Sequence, residues 1–388
     1  MNSTKRYFIN LISAFLNKTQ YEYCDDVDYN ELYRLSNIHN VCGIIAKQLM
    51  GFSAENRSKI DNLPAFRQQL GYTLMSYDKK QQLAEMLRND FNNMNRDFIF
   101  VKGTAIRHLY PVAELRTSGD IDLFFRKEDY NEILKYCKDR NYNIVNSSNE
   151  ITITISGEHI ELHSETDFDN PFFENIFDIS VKNNNCEYCL DIENHLIYVL
   201  THIAKHFNHL GAGIRMFMDV DVLIRNCDNF DYESFYKKCK AANIENFANA
   251  VFSLCRLWFD TPVNSDFIFS DDMLRIFENV IIDGGSFGFE ARNLGEYYID
   301  KSLDSGSSNS LFAKIRAVLL LIFPDTKALK SNYRYAKKHP SLIPVAWINR
   351  MIDGIFRRGK NSANTIKQIF ASGNEAEEYK KLMNELEI

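Results

Sequence analysis

The sequence predicts an α+β protein in which one α/β unit, residues 96–189, lies between a helical region at 1–95 and a second at 190–388. Three observations lead there. Apolar residues recur at three and four positions before and after the middle segment, which is the period of a helix face. The middle segment contains short apolar or alternating runs instead, "DIDLFF" (120–125), "EITITI" (150–155) and "HIELH" (159–163), which is the period of a strand. Gly, Pro and hydroxyl residues punctuate that segment at Gly103-Thr104, Pro111 and Gly157.

The elements follow in order. "MNSTKRYFINLISAFLNKT" reads as an amphipathic helix with Phe8, Leu11, Ile12 and Phe15 on one face. Helical periodicity continues through "ELYRLSNIHNVCGIIAKQLM" and "FRQQLGYTLMSYDKKQQLAEMLRNDFNNM", with Pro64 separating two helices. "DFIFV" (97–101) is a strand that ends at Lys102-Gly103-Thr104, and "TAIRHLY" is a short helix that stops at Pro111. After the strand "DIDLFF", "KEDYNEILKYCKDRNY" is helical, acidic early and basic late as the helix dipole favours. "YNIVN" is a short strand, and Gly157 turns the β-branched strand "EITITISG" into "EHIELH". From 190 onward the chain is helical, with a loop at "DGGSFG" (283–288), a flexible segment at "LDSGSSNS" (303–310) and Pro324, Pro340 and Pro344 punctuating the end.

Composition bounds the partners. A chain of 388 residues exceeds what one core usually serves, so more than one subdomain is expected. The net charge of −7 argues against a surface that clasps nucleic acid throughout, while leaving room for a local basic patch. The longest apolar run, "AVLLLIF" (317–323), is too short to span a bilayer, so no membrane partner is expected. The N-terminus offers no small-residue cleavage site, so a cytoplasmic protein with eight reduced cysteines is expected. Cys186-x-x-Cys189 is half of a zinc motif with no second pair at matching spacing, and free thiols are the better reading.

One constellation carries chemistry. Asp120 and Asp122, two apart on a strand, point the same way while Ile121 and Leu123 face the core. Such a pair repels unless a cation lies between its members. If "HIELH" lies beside this strand, Glu161 becomes a third carboxylate on the same surface, with Glu158 and Glu165 as its rivals and a solvated edge position as the bland alternative. Three converging carboxylates make a hard oxygen site suited to Mg²⁺ or Mn²⁺. Upstream, "VKGTA" runs from a strand into a helix. Gly103 there allows a phosphate close to the backbone, and Thr104 is placed to cap the helix. Lys102 and Arg116 are cations for a triphosphate, and Gly119, directly before Asp120, completes the set expected to hold the nucleotide. Lys102 could instead be a surface lysine, and Arg116 a structural partner of the Asp pair. Together these features describe phosphoryl or nucleotidyl transfer.

"VKGTAIRHLYPVAELRTSGDIDLFF" followed by "GEHIELH" resembles the uncharacterised bacterial nucleotidyltransferase family of the DNA polymerase β-like superfamily, and also abortive-infection toxin-type nucleotidyltransferases. Further similarity is seen in "THIAKH", "RMFMDVDVLI" and "FPDTKALKSNYRYAKKHPSLIPVAWINR". The resemblance implies a small mixed β-sheet flanked by helices. It implies that Asp120 and Asp122 bind catalytic metals, that Glu161 completes the site, and that Gly103 and Thr104 match the turn that holds the phosphates. Lys102 before a single Gly departs from the family's Gly-Gly or Gly-Ser turn.

Other signals are weaker. His195, His202, His206 and His209 share a helix face; with His163 they either line the cleft or fill a helix interface. A His pair at i and i+4, such as His202 and His206, is also a transition-metal pattern. Arg215 and Asp219 are spaced to pair on a helix surface. Gly284, Gly285 and Gly288 read as a turn. Residues 327–360 hold nine Lys or Arg against one acid, Asp353, with Tyr333, Tyr335 and Trp347 interleaved. That segment is either an RNA contact or, more commonly, a solvated helical face. The expected reaction moves an NMP group from an NTP to a hydroxyl acceptor, releasing pyrophosphate. The alternatives are a toxin or defence enzyme acting on tRNA or protein, and a non-catalytic nucleotide-binding module. The acceptor is expected to be a small molecule, RNA or protein.

Overall fold

The structure is a computed structural model that describes residues 1–388 except 167, 169, 209–210, 288–293, 304–309, 324–334, 336–338, 357–358 and 372–374. Five helices come first: α1 (Ser3–Leu16), α2 (Tyr29–Ile38), α3 (Cys42–Met50), α4 (Ala54–Ser58) and α5 (Leu63–Asn93). Phe8, Leu11, Ile12 and Phe15 of α1 are all buried, as their spacing predicts. Pro64 opens α5, where its missing N–H costs nothing.

The middle segment supplies β1 (Phe98–Phe100), α6 (Lys102–Ile106), β2 (Asp120–Phe125), α7 (Tyr130–Asp139), β3 (Asn143–Asn146), β4 (Glu150–Ile155) and β5 (Glu158–His163). Two strands were not foreseen, β6 (Ser180–Asn184) and β7 (Glu187–Leu190). Their sequence, "SVKNNNCEYCL", is polar, and Val181 is exposed, so no apolar alternation announced them. β7 lies parallel to β1, and the Phe98 N–H donates to the Cys186 carbonyl (2.9 Å).

The seven strands form one mixed sheet in the order β3-β4-β5-β2-β1-β7-β6. β4 and β5 meet through the two-residue turn Ser156-Gly157, both with positive φ (52° and 84°), the backbone that suits a tight hairpin. On one face of the sheet Ile121, Leu123, Ile160 and Leu162 pack with Leu83, Leu87 and Phe91 of α5 and with Ile133 and Cys137 of α7. On the other face Ile99, Val101 and Phe124 join a second core. That core runs continuously through α1 to α3 and through α8 (Ile192–Phe207), α9 (Ile214–Arg225), α10 (Tyr232–Ala241), α11 (Glu245–Phe259) and α12 (Asp271–Gly284). Helices α1 to α3 and α8 to α12 thus share one layer on the acidic face of the sheet. The expected loop at 283–288 begins later than the sequence suggested: α12 continues through Gly284, and Gly285 ends it with φ of 65°. Gly288, and residues 304–309 of the expected flexible segment, lie outside the described residues.

Buried histidines set an acid limit on this layer. His39 donates from Nε2 to the Ile282 carbonyl (2.9 Å), and burial pushes its pKa down to about 4. Burial likewise lowers His195 to about 4. The unfolded chain protonates both groups near their ordinary value, so stability is full above about pH 6.5 and falls as pH drops toward 4. Each group then contributes a slope of up to about 1.4 kcal/mol per pH unit. Urea denaturation at pH 7, 6 and 5 should show this loss, and His39→Gln should flatten it; an unchanged slope in the variant contradicts the assignment.

Candidate active site

The sheet register builds the site. β2 and β5 run parallel with Asp120 opposite His159, Asp122 opposite Glu161 and Phe124 opposite His163. Paired residues on neighbouring strands share a face, so these six side chains stand on the side away from Ile121, Leu123, Ile160 and Leu162. Asp122 is 3% exposed, and its Oδ1 accepts from Lys102 Nζ at 2.6 Å. His163 Nε2 lies 3.4 Å from both Asp122 Oδ1 and Glu161 Oε2, while its Nδ1 is 3.6 Å from Glu150 Oε2. The His163 ring leans on Phe124, centroids 5.1 Å apart. Asp122, Glu161 and His163 each bring a ligand atom within 4.8 Å of the others, and no other such group occurs among the described residues. Asp120 is on the same face but outside that group, and makes no ion pair within 4 Å among the described residues.

Charge explains how these acids coexist. Burial alone would raise the Asp122 pKa, but the Lys102 charge and the contact with His163 overrule it and hold the carboxyl well below its usual range. Burial opposes the charged form of Lys102, and Asp122 reverses that, lifting it above an ordinary lysine. His163 is likewise opposed by burial and lifted to about 9 by Asp122 and Glu161, so it is an imidazolium that donates to both at neutral pH. Asp120 is raised, first by burial and then by the Asp122 charge. Two carboxylates and a convertible imidazole fit a divalent cation, with the oxygens favouring Mg²⁺ or Mn²⁺. Lys102 must leave Asp122 for that oxygen to bind a metal.

The two turns beside the site have a different basis from the one the sequence suggested. α6 begins at Lys102, whose φ is +51°, an uncommon conformation for a residue with a side chain. Thr104 therefore sits inside the helix and does not cap it; its hydroxyl oxygen is 3.4 Å from Arg107 Nη2. A Cβ on Gly103 would meet Arg116 Nη1 at 2.5 Å, so this glycine makes room for a guanidinium. That guanidinium is engaged: Arg116 Nε and Nη2 donate to Asp219 at 3.1 and 2.5 Å, and Nη1 donates to the Thr117 carbonyl at 2.5 Å. The Tyr110 hydroxyl also donates to Asp219 (2.6 Å). Arg116 is thus a buried tie between the turn before β2 and α9, and not a partner of the Asp120–Asp122 pair. Asp219 faces inward and pairs with Arg116 instead of Arg215, while Asp221 takes Arg225 at 2.8 Å.

Several contacts gave no sequence signal. Lys80, on α5 and nearly buried, donates to the carbonyls of Ser118 and Gly119 and lies 3.4 Å from Glu158. It clamps the turn that delivers Asp120, and nothing in the α5 periodicity marks it. Glu158 is bound to Lys79 and Lys80, and Glu165 to Lys127, so of the three rival acids Glu161 is the one beside Asp122. His163, read only as a cleft-lining residue, touches both acids. His202 and His206 face each other, Nε2 to Nε2 3.1 Å, with His202 buried below its usual pKa by desolvation. His195 is buried, and His209 lies outside the described residues. Much of 327–360 also lies outside them; Tyr335 and Trp347 pack around Ala346. All eight cysteines are free, Cys186 and Cys189 included.

A mixed sheet under helices carries an Asp-x-Asp strand beside a parallel strand with another acid, the arrangement the sequence led one to expect of a nucleotidyltransferase. The chain belongs to the family described as an uncharacterised nucleotidyltransferase, whose family model matches residues 25–260, the whole site included. No curated protein and no solved structure matches it. Among the described residues no helix is long and apolar enough to cross a membrane.

The Lys102–Asp122 pair should behave as a coupled unit. Lys102→Met leaves Asp122 buried without its main counter-charge and should cost on the order of 3 kcal/mol in chemical denaturation. Adding Asp122→Asn should restore part of that, with a coupling of at least about 1 kcal/mol. Additive single effects would show that the pair is not formed.

Proposed function

We propose that the protein transfers a nucleoside monophosphate from an NTP to a hydroxyl acceptor, with release of pyrophosphate, at the Asp122–Glu161 face of the sheet. The supporting observation is the parallel register that sets Asp122 beside Glu161 with His163 bridging them. Asp122 and Glu161 would hold Mg²⁺ or Mn²⁺, with Asp120 as the adjacent donor and His163 as an imidazolium lying against both acids. The bound ion supplies a hard Lewis acid that lowers the acceptor's pKa and neutralises phosphate charge.

The chain's own residues do the rest. Lys102 exchanges Asp122 for the nucleotide's phosphates, carrying its positive charge from one anion to another over a short path. His163 orients Asp122 and Glu161 by lying against both. Arg116 and Lys80 keep the Gly103 turn and the 117–119 turn in place without touching the substrate. Gly103, Thr104 and Gly119 shape the path between those turns. Such fixed positioning of phosphate, acceptor and acid groups is where most of the rate gain in phosphoryl chemistry comes from. An RNA acceptor would be compatible with the basic stretch 327–360.

The test is a screen of the four NTPs with Mg²⁺ or Mn²⁺ for pyrophosphate release, with RNA, protein and small hydroxyl compounds as acceptors. Asp122→Asn and Glu161→Gln should each lower turnover by at least about a hundredfold while circular dichroism stays unchanged. Wild-type turnover in either folded variant overturns the assignment.

A further inference from the structure

Arg215 is a charged group beside the turn that delivers Asp120. It is the second residue of α9, and the start of that helix is pinned. A Cβ on Gly213 would come within 2.6 Å of the Gly285 carbonyl oxygen and 2.7 Å of Ser286 Cα, so the two segments touch. Arg215 Nη1 donates to the Thr117 carbonyl and hydroxyl oxygens, both at 3.2 Å. Thr117 in turn donates to the Asn40 carbonyl (2.5 Å). Among the described residues no carboxylate lies within 4 Å of Arg215, because Asp219, one turn along α9, is occupied by Arg116 and Tyr110. Burial and the neighbouring Arg116 bring its pKa down to about 10, so it stays charged at neutral pH.

A guanidinium has five N–H donors, and Arg215 directs those of Nη1 to Thr117 while remaining partly exposed. At the other end of the same turn, Asp120 is also without an ion-pair partner among the described residues. The turn 117–119 therefore carries one unmatched charge of each sign at its two ends. A divalent-cation complex of a polyphosphate presents the complementary pair, metal for the carboxylate and phosphate oxygen for the guanidinium. Arg107 is not an equivalent candidate: it is 4% exposed, lies over the Tyr77 ring and donates to the Gly103 carbonyl.

We propose that Arg215 binds the polyphosphate tail of the nucleotide, taking the place expected of Arg116, so that α9 forms one wall of the nucleotide site. This rests on the nucleotidyl-transfer reading of the site. Binding of inorganic tripolyphosphate and of each NTP, with Mg²⁺, is measured by calorimetry on the full chain for wild type, Arg215→Gln and Arg215→Lys. Arg215→Gln should weaken tripolyphosphate and NTP by the same factor, about tenfold or more, and Arg215→Lys should recover most of it. Wild-type affinity in Arg215→Gln overturns the inference. So does an Arg215→Lys protein as weak as Arg215→Gln, which would make Arg215 a brace for Thr117 only. If wild type binds neither tripolyphosphate nor any NTP, the transfer reading itself fails and this inference with it; loss of the inference alone requires that wild type bind.

Discussion

Asp122 is ionised with 3% of its surface exposed because Lys102 Nζ stands 2.6 Å from its Oδ1 and His163 Nε2 lies 3.4 Å from the same oxygen. Without those cations, three acids on adjacent strand positions would have to take up protons or splay apart. The rest of the site follows from this need. Lys102 reaches Asp122 from a backbone with positive φ, a conformation usually left to glycine. The next residue is a true glycine, which frees the space that Arg116 fills. Arg116 then holds the turn by its buried tie to Asp219. Each ion pair fixes the position of the next.

Such pairs specify geometry more than they stabilise it. Removing two charges from water offsets most of their mutual attraction, so the buried Arg116–Asp219 and Lys102–Asp122 pairs contribute little net stability. Their effect is that a wrong arrangement leaves a charge buried alone, which costs several kcal/mol. Stability comes instead from the apolar faces on either side of the sheet, especially the core shared by the first three helices and α8 to α12. An apolar scaffold that is strong by itself can hold polar groups in positions that suit a substrate better than they suit the empty fold.

The strands β1 to β5 were legible because their period is local: "DIDLFF" and "HIELH" alternate, and the Ser156-Gly157 turn joins β4 to β5 at the Gly the sequence marked. The same alternation put Glu161 on the Asp face once β5 was set beside β2. β6 and β7 escaped because an edge hairpin of polar residues buries too little to leave a pattern. The partners of Arg116 and Lys80 escaped for another reason. Asp219 is over a hundred positions from Arg116 and the Ser118 carbonyl is 38 from Lys80, and no local spacing encodes such distant contacts. A short-range rule even suggested the wrong partner, pairing Arg215 with Asp219 because they are four apart, although the helix turns Asp219 into the core. The His163 role lay one pleat beyond Glu161 on the same strand, and the i, i+2 rule that found Asp120 and Asp122 could have found it.

If the proposed reaction runs at this face of the sheet, Asp122 and Glu161 together hold a divalent cation there. Electron paramagnetic resonance of Mn²⁺ titrated into the full chain measures it directly, since bound ion loses the free-ion signal. Mn²⁺ should bind the wild type and be lost from both Asp122→Asn and Glu161→Gln. Undiminished binding in either variant would contradict it.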